Sequence, residues 1–139
     1  MRKLLVAAAL APAFLLVAAA PGDDILDQIA TKVTDFYASK GLSPTGWVNN
    51  GALGSGEEKR VSVTLKGGEV FSVAGFCDKQ CADMNLHVTS SDGTNVAEDV
   101  KDDDLPIVVV EQPGTYTLTV TMVSCKTSKC NYRLLAFAK

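Results

Sequence analysis

The hydrophobic pattern of the chain changes three times along its length. Residues 4–20 are almost continuously apolar, whereas residues 23–40 carry apolar side chains at the three- and four-residue spacing of one helical face. Residues 41–58 show no period and contain Gly, Ser, Pro and Asn at many positions, and from residue 60 apolar and polar residues alternate. The pattern therefore predicts a leader, an amphipathic helix at 23–40, a linker or irregular loop at 41–58 and a β domain at 59–139.

The alternating part of the chain divides into short runs. They are RVSVTLK, EVFSVAGFC, DMNLHVTS, NVAEDV, PIVVVEQ, YTLTVTMV and NYRLLAFAK. Turn signals such as Gly-Gly, SDGT and PGT separate them, and no helical pattern interrupts them. Six to eight short strands at this spacing predict an antiparallel β-sandwich, with the helix preceding it.

The first apolar segment reads as a secretory signal peptide over residues 1–19. Arg2 and Lys3 precede it, small residues end it, and cleavage after Ala19 avoids leaving Pro21 next to the cut. An uncleaved membrane anchor is the alternative, although the run is interrupted by Pro12 and followed by acidic residues. The interpretation predicts a periplasmic or secreted protein with no stable membrane anchor after cleavage.

The net charge excludes one class of partner. The formal charge of −3 becomes −5 when Arg2 and Lys3 are removed with the signal peptide. Because nucleic acids attract proteins through positive charge, we expect no nucleic-acid partner.

Export also determines how the four cysteines are interpreted, because thiols in an oxidising compartment form disulfides. The sequence-local pairs Cys77–Cys81 and Cys125–Cys130 are favoured, and pairing across the two loops is the alternative if the loops lie side by side. The C-x3-C and C-x4-C spacings are not typical of zinc sites, and neither pair has the C-x-x-C spacing of redox proteins.

Oxygen-bearing side chains form a second candidate site. They are Asp78, Asp83, Asn85, Asp99, Asp102, Asp103 and Asp104. If their loops converge, they supply the oxygen ligands that calcium requires; otherwise they form a solvated acidic surface. Calcium is thus the candidate cofactor that these residues suggest, and the predicted fold does not require a cofactor.

Two single residues bear on function. Trp47 is the only tryptophan and either covers the edge of the core or stands exposed as a platform for a ligand. His87 is the only histidine and lies on the polar face of a predicted strand. Since no G-x-S-x-G motif accompanies it, we predict no catalytic residue.

Residues from about 58 to 139 resemble the bacterial pre-peptidase C-terminal (PPC) domain. The likeness rests on the order of LKGGEVFSVAGFC, DMNLHVTSSDGTNVAED and PIVVVEQPGTYTLTVTM, and it is greatest to small exported proteins with a Cys-Asp-x-x-Cys insertion. The resemblance implies a jelly-roll-like β-sandwich that accompanies secreted hydrolases, sometimes binds calcium and is not catalytic. Asp83-Met84-Asn85 replaces the family's Asp-x-Asp, which removes one negative charge from that calcium site.

Together these features predict an exported, non-enzymatic binding or interaction module that is stapled by disulfides and, if the acidic loops converge, stabilised by calcium as well. Its partner would be an envelope or extracellular protein or polymer. The alternative is an accessory or inhibitor subunit of a separately encoded secreted hydrolase.

Overall fold

A computed structural model of the chain describes residues 23–139, which form one helix and eight strands. The elements are α1 (Asp23–Ser39), β1 (Ser43–Leu53), β2 (Glu58–Leu65), β3 (Phe71–Cys77), β4 (Cys81–Thr89), β5 (Asn95–Asp99), β6 (Ile107–Val110), β7 (Gly114–Cys125) and β8 (Cys130–Ala138). The predicted signal peptide and its cleavage site lie outside these residues. Within residues 23–139, no helix is both long enough and apolar enough to cross a membrane.

The strands form two four-stranded antiparallel sheets. Sheet A has the order β1-β8-β3-β6 and sheet B the order β2-β7-β4-β5. Every connection except β4–β5 crosses from one sheet to the other, which is the arrangement of a jelly roll. The predicted fold class, a mainly β jelly-roll-like sandwich preceded by one helix, is confirmed.

Alternation along the strands builds the core between the sheets. On β7, Tyr116, Leu118, Val120 and Met122 are buried, and the threonines between them lie on the outer face of sheet B. This is the apolar-in, polar-out pattern of an antiparallel sheet with one face in water.

Sheet A differs because both of its faces are apolar, and α1 covers the outer one. All seven residues of β3 are buried. The ring of Tyr37 stacks on Phe137 with centroids 4.3 Å apart, and its hydroxyl is hydrogen-bonded to Ser72 Oγ at 2.6 Å. The apolar stripe of the helix thus packs on sheet A, and Gly41 (φ 80°) ends the helix as its sequence position predicts.

The prediction of a linker or loop at residues 41–58 is wrong, because residues 43–53 form the edge strand β1. Its composition is atypical of a strand for two local reasons. Pro44 lies near one end of an edge strand, where a missing N–H is tolerated. Gly51 lies against the buried Tyr132, and a Cβ there would be 2.6 Å from the ring atom Cζ. The sandwich therefore includes residues that the sequence pattern assigned to a linker.

We expect Gly51→Ala to destabilise the protein by about 1–3 kcal/mol, because the added methyl overpacks the site against Tyr132. Urea unfolding measures the change. The control is the same substitution in a Tyr132→Leu protein, in which the ring is absent. Gly51→Ala should lower the free energy of unfolding much less in that protein than in the parent. An equal cost in both backgrounds would show that β1 does not lie against Tyr132.

Candidate functional site

The cysteines form the bonds Cys77–Cys81 and Cys125–Cys130, which are the two favoured sequence-local pairs. The condition for the alternative pairing is nevertheless met, since Cys81 and Cys125 are partners in the β4–β7 ladder. The two disulfide loops lie side by side, and each is closed locally.

Hydrogen bonds join the two loops. The Asn131 N–H donates to Asp78 Oδ2 at 2.8 Å, and the Asp78 N–H donates to the Asn131 carbonyl at 3.0 Å. The Lys126 N–H donates to the Gln80 carbonyl at 2.8 Å. We call this end of the sandwich, with the loops at 54–57, 78–80, 100–106 and 126–129, the disulfide end.

The seven predicted calcium ligands all lie at or near the disulfide end, but several of them serve the backbone. Asp99 accepts from the N–H groups of Lys101 (3.2 Å) and Ile107 (2.9 Å), so its carboxylate holds both ends of the loop from sheet B to sheet A. Asp78 is committed to Asn131, and Asp103 Oδ1 accepts from the Leu105 N–H at 3.1 Å. These three carboxylates have structural partners that would compete with a metal ion.

Asp83 and Asn85 lie in a different environment on the outer face of β4. Asp83 Oδ1 and Asn85 Oδ1 are buried, and neither has a hydrogen-bond partner among residues 23–139. Desolvation raises the pKa of Asp83, and the nearby carboxylates of Asp102 and Asp103 raise it further. Buried oxygens without partners are rare in folded proteins, so this pair requires an explanation.

The described residues 23–139 contain no group of three acidic, histidine or cysteine side chains placed to hold a metal ion. Four members of the predicted set remain as oxygen donors, namely Asp83, Asn85, Asp102 and Asp104, and of the last two only Asp102 lies close enough to Asp83 to raise its pKa. Asp104 is exposed in the same loop.

Trp47 lies near the start of β1, at the opposite end of the strand from the disulfide loops, where β1 has a three-residue bulge. Pro44 is paired with Phe137 and Val48 with Leu135, so Thr45, Gly46 and Trp47 stand opposite Ala136 alone. The φ of 90° at Gly46 and the bond from the Trp47 N–H to Thr45 Oγ1 (3.2 Å) accompany this turn of the backbone. Bulges on edge strands redirect side chains, and this one places the indole of Trp47 between the core and a surface groove.

The indole has two environments at once. It is half-buried and packs against the core, and it also lines a groove of about 700 Å³. The other side chains that matter in this groove are Ser43, Thr45, Lys66 and Lys139. The volume is within the range of small-ligand sites, which is roughly 300–1,000 Å³. Both roles considered for Trp47, cover of the core and platform for a ligand, are compatible with its position.

His87 lies on the outer face of β4, opposite Glu98 on β5. Its Nε2 is 3.2 Å from Glu98 Oε2, and the His87 side chain is 36% exposed. The contact is a cross-strand ion pair when the imidazole is protonated.

No protein-family model matches the chain, and no curated protein matches it. The site residues that sequence reasoning missed are Lys66 and Lys139. They follow β2 and β8 as isolated lysines, and no local pattern distinguishes them from other surface lysines.

We expect Asp83→Asn to stabilise the metal-free protein at neutral pH. The folded-state pKa of Asp83 lies above 3.8, so ionisation opposes folding progressively as the pH rises through and beyond that value. The asparagine variant should therefore unfold at higher urea than the parent at pH 7 in EDTA, and the difference should disappear at pH 3. Asp104→Asn, in the neighbouring loop between β5 and β6, removes one negative charge at an exposed position and is the control. A less stable Asp83→Asn protein at pH 7 would contradict the pKa direction.

Proposed function

We propose that this protein is an exported, non-enzymatic binding module, and that the groove beside Trp47 contacts an envelope or extracellular partner. The observation that carries the proposal is the three-residue bulge in β1. A sandwich edge needs no such bulge to close its core, but the bulge brings the only indole of the chain to a groove of ligand size.

Export is supported by the two disulfides, because such bonds persist in oxidising compartments and are rare in the cytosol. The PPC likeness of residues 58–139 agrees with this proposal, since that domain accompanies secreted enzymes without being catalytic. Each disulfide typically adds about 2–4 kcal/mol of stability, which suits a protein outside the cell.

Calcium is the proposed stabilising ion, bound by Asp83, Asn85 and Asp102. The support is chemical, because two buried oxygens lack donors and the neighbouring carboxylates concentrate negative charge there. Calcium prefers carboxylate and amide oxygens, and would satisfy both atoms while offsetting the repulsion. Since three protein groups are few for this ion, water and backbone carbonyls would complete its shell.

The alternative function is an accessory or inhibitor subunit of a separately encoded secreted hydrolase. One observation favours it: a second groove of about 340 Å³ between α1 and β6 is lined mainly by apolar side chains. Phe36 and Leu105 in this groove are 52% and 40% exposed. Exposed apolar residues that lie together are typical of protein–protein contacts.

We expect millimolar calcium to raise the Tm of the oxidised protein relative to EDTA. At a hundred times its Kd, a ligand stabilises the fold by about 2.7 kcal/mol, equivalent to a rise of roughly 10 °C for a domain of this size. Asp83→Asn should abolish most of the calcium-dependent rise, while Asp104→Asn should keep most of it. No rise in the parent protein would remove calcium from the proposal.

We expect Trp47→Ala to reduce co-sedimentation of the mature protein with insoluble envelope fractions and purified cell-wall polymer. Tryptophan is enriched among the few contact residues whose truncation costs about 2 kcal/mol or more, which corresponds to an affinity weaker by at least about tenfold. Phe36→Ala removes an exposed aromatic from the other groove and serves as the matched control. Loss of binding in Phe36→Ala but not in Trp47→Ala would favour the alternative function.

A further inference from the structure

The groove beside Trp47 carries positive charge on an acidic protein. Lys66 and Lys139 both line it, and neither forms a salt bridge among the described residues. The whole chain has a formal charge of −3, so two unpaired lysines beside one indole are a local reversal of sign. The groove is therefore electrostatically suited to an anionic ligand.

The two lysines are not equivalent. Lys139 Nζ lies over Gly41, 3.8 Å from the position that a Cβ on that glycine would occupy. Gly41 follows the last turn of α1, and the helix dipole places a partial negative charge at this end that attracts an ammonium group. Lys139 is thus partly neutralised by the helix end, which leaves Lys66 as the stronger attraction for an anion.

The rest of the groove offers a flat aromatic surface and hydroxyl groups. The indole of Trp47 can pack against the C–H face of a sugar ring, while Ser43 and Thr45 can hydrogen-bond its hydroxyls. Thr45 Oγ1 accepts from the Trp47 N–H, so its own proton is available for a ligand.

The backbone argues against an extended peptide as the occupant. A peptide that adds to an edge strand needs a regular row of N–H and C=O groups. The bulge at residues 45–47 interrupts that row on β1 beside the groove. Recognition there must therefore depend on side chains.

We propose that the Trp47 groove binds an acidic glycan, with a sugar ring on the indole and its carboxylate paired with Lys66. This inference rests on the proposed function and specifies its ligand class. The proposed binding of the glycan is non-covalent, and it does not depend on the calcium ion proposed for the disulfide end.

The test compares hexagalacturonate with its methyl ester, which keeps the sugar rings but removes the negative charge. Because Trp47 is the only tryptophan, its fluorescence reports occupancy directly, and calorimetry gives the affinity. We expect the acid form to bind at least about tenfold more tightly than the ester, and added salt to reduce that difference.

Three variants locate the charge. Lys66→Gln should weaken binding of the acid form by about tenfold or more and leave binding of the ester unchanged. Lys66→Arg should retain the preference for the acid. Lys126→Gln, at the disulfide end, is the control for non-specific attraction and should bind as the parent does. A thermal melt of each variant verifies that it is folded.

Equal binding of the acid and the ester would overturn the acidic-glycan proposal while leaving a binding groove at Trp47. An unchanged acid preference in Lys66→Gln would also overturn it. If neither glycan binds, the proposed ligand class is wrong. The proposed function also fails in that case if Trp47→Ala co-sediments with envelope fractions as well as the parent protein does; if Trp47→Ala loses co-sedimentation, the proposed function stands.

Discussion

The structure depends on removing the outer face of sheet A from water. A jelly roll ordinarily buries one face of each sheet, but here Ala74, Phe76 and Phe137 form a second buried cluster with residues of α1. Leaving this face in water would forfeit about 25 cal/mol for each Å² of apolar surface. The helix is therefore a third layer of the domain, and the Tyr37–Ser72 bond fixes its position by satisfying the one buried polar side chain of that face.

Placing α1 on sheet A has consequences for β1. The helix ends at Ser39, the chain turns at Gly41, and it enters the edge of the same sheet at Ser43. Arg133 links these elements, since it pairs with Asp27 on the helix and donates to Asn50 on β1, both at 2.7 Å. The edge strand is thus held at its middle by side chains, and its first part can deviate from β8 around Gly46 without loss of register further along.

The two ends of the sandwich have separate physical characters. The disulfide end is covalently closed, densely hydrogen-bonded and acidic, and most of its carboxylates hold backbone N–H groups in place. The end that contains Trp47 has a groove, two lysines and hydroxyl groups. Proposals for a stabilising ion and for a partner ligand therefore concern different regions, about one sandwich length apart, and neither requires the other.

The sequence by itself determined those features that depend on neighbours along the chain. Alternation located β2 to β8, helical spacing located α1, and the short separation of the cysteines favoured their local pairs. These predictions of the strands, the helix and the disulfide pairs succeed because the period of a strand or helix and the closure of a short loop are local properties.

Only the tertiary structure decided the rest. β1 has few alternating apolar residues, and it becomes a strand because it pairs with the edge of β8. Its Gly51 fits there because a Cβ at that position would collide with Tyr132. The seven acidic and amide residues looked alike in sequence, yet packing commits Asp78, Asp99 and Asp103 to the backbone and leaves Asp83 and Asn85 with unpaired oxygens. Lys66 and Lys139 are 73 positions apart and meet Trp47 only because the start of β1 and the ends of β2 and β8 lie at the same side of the sandwich. The physical reason is that burial and partnership depend on long-range contacts, which no local pattern records.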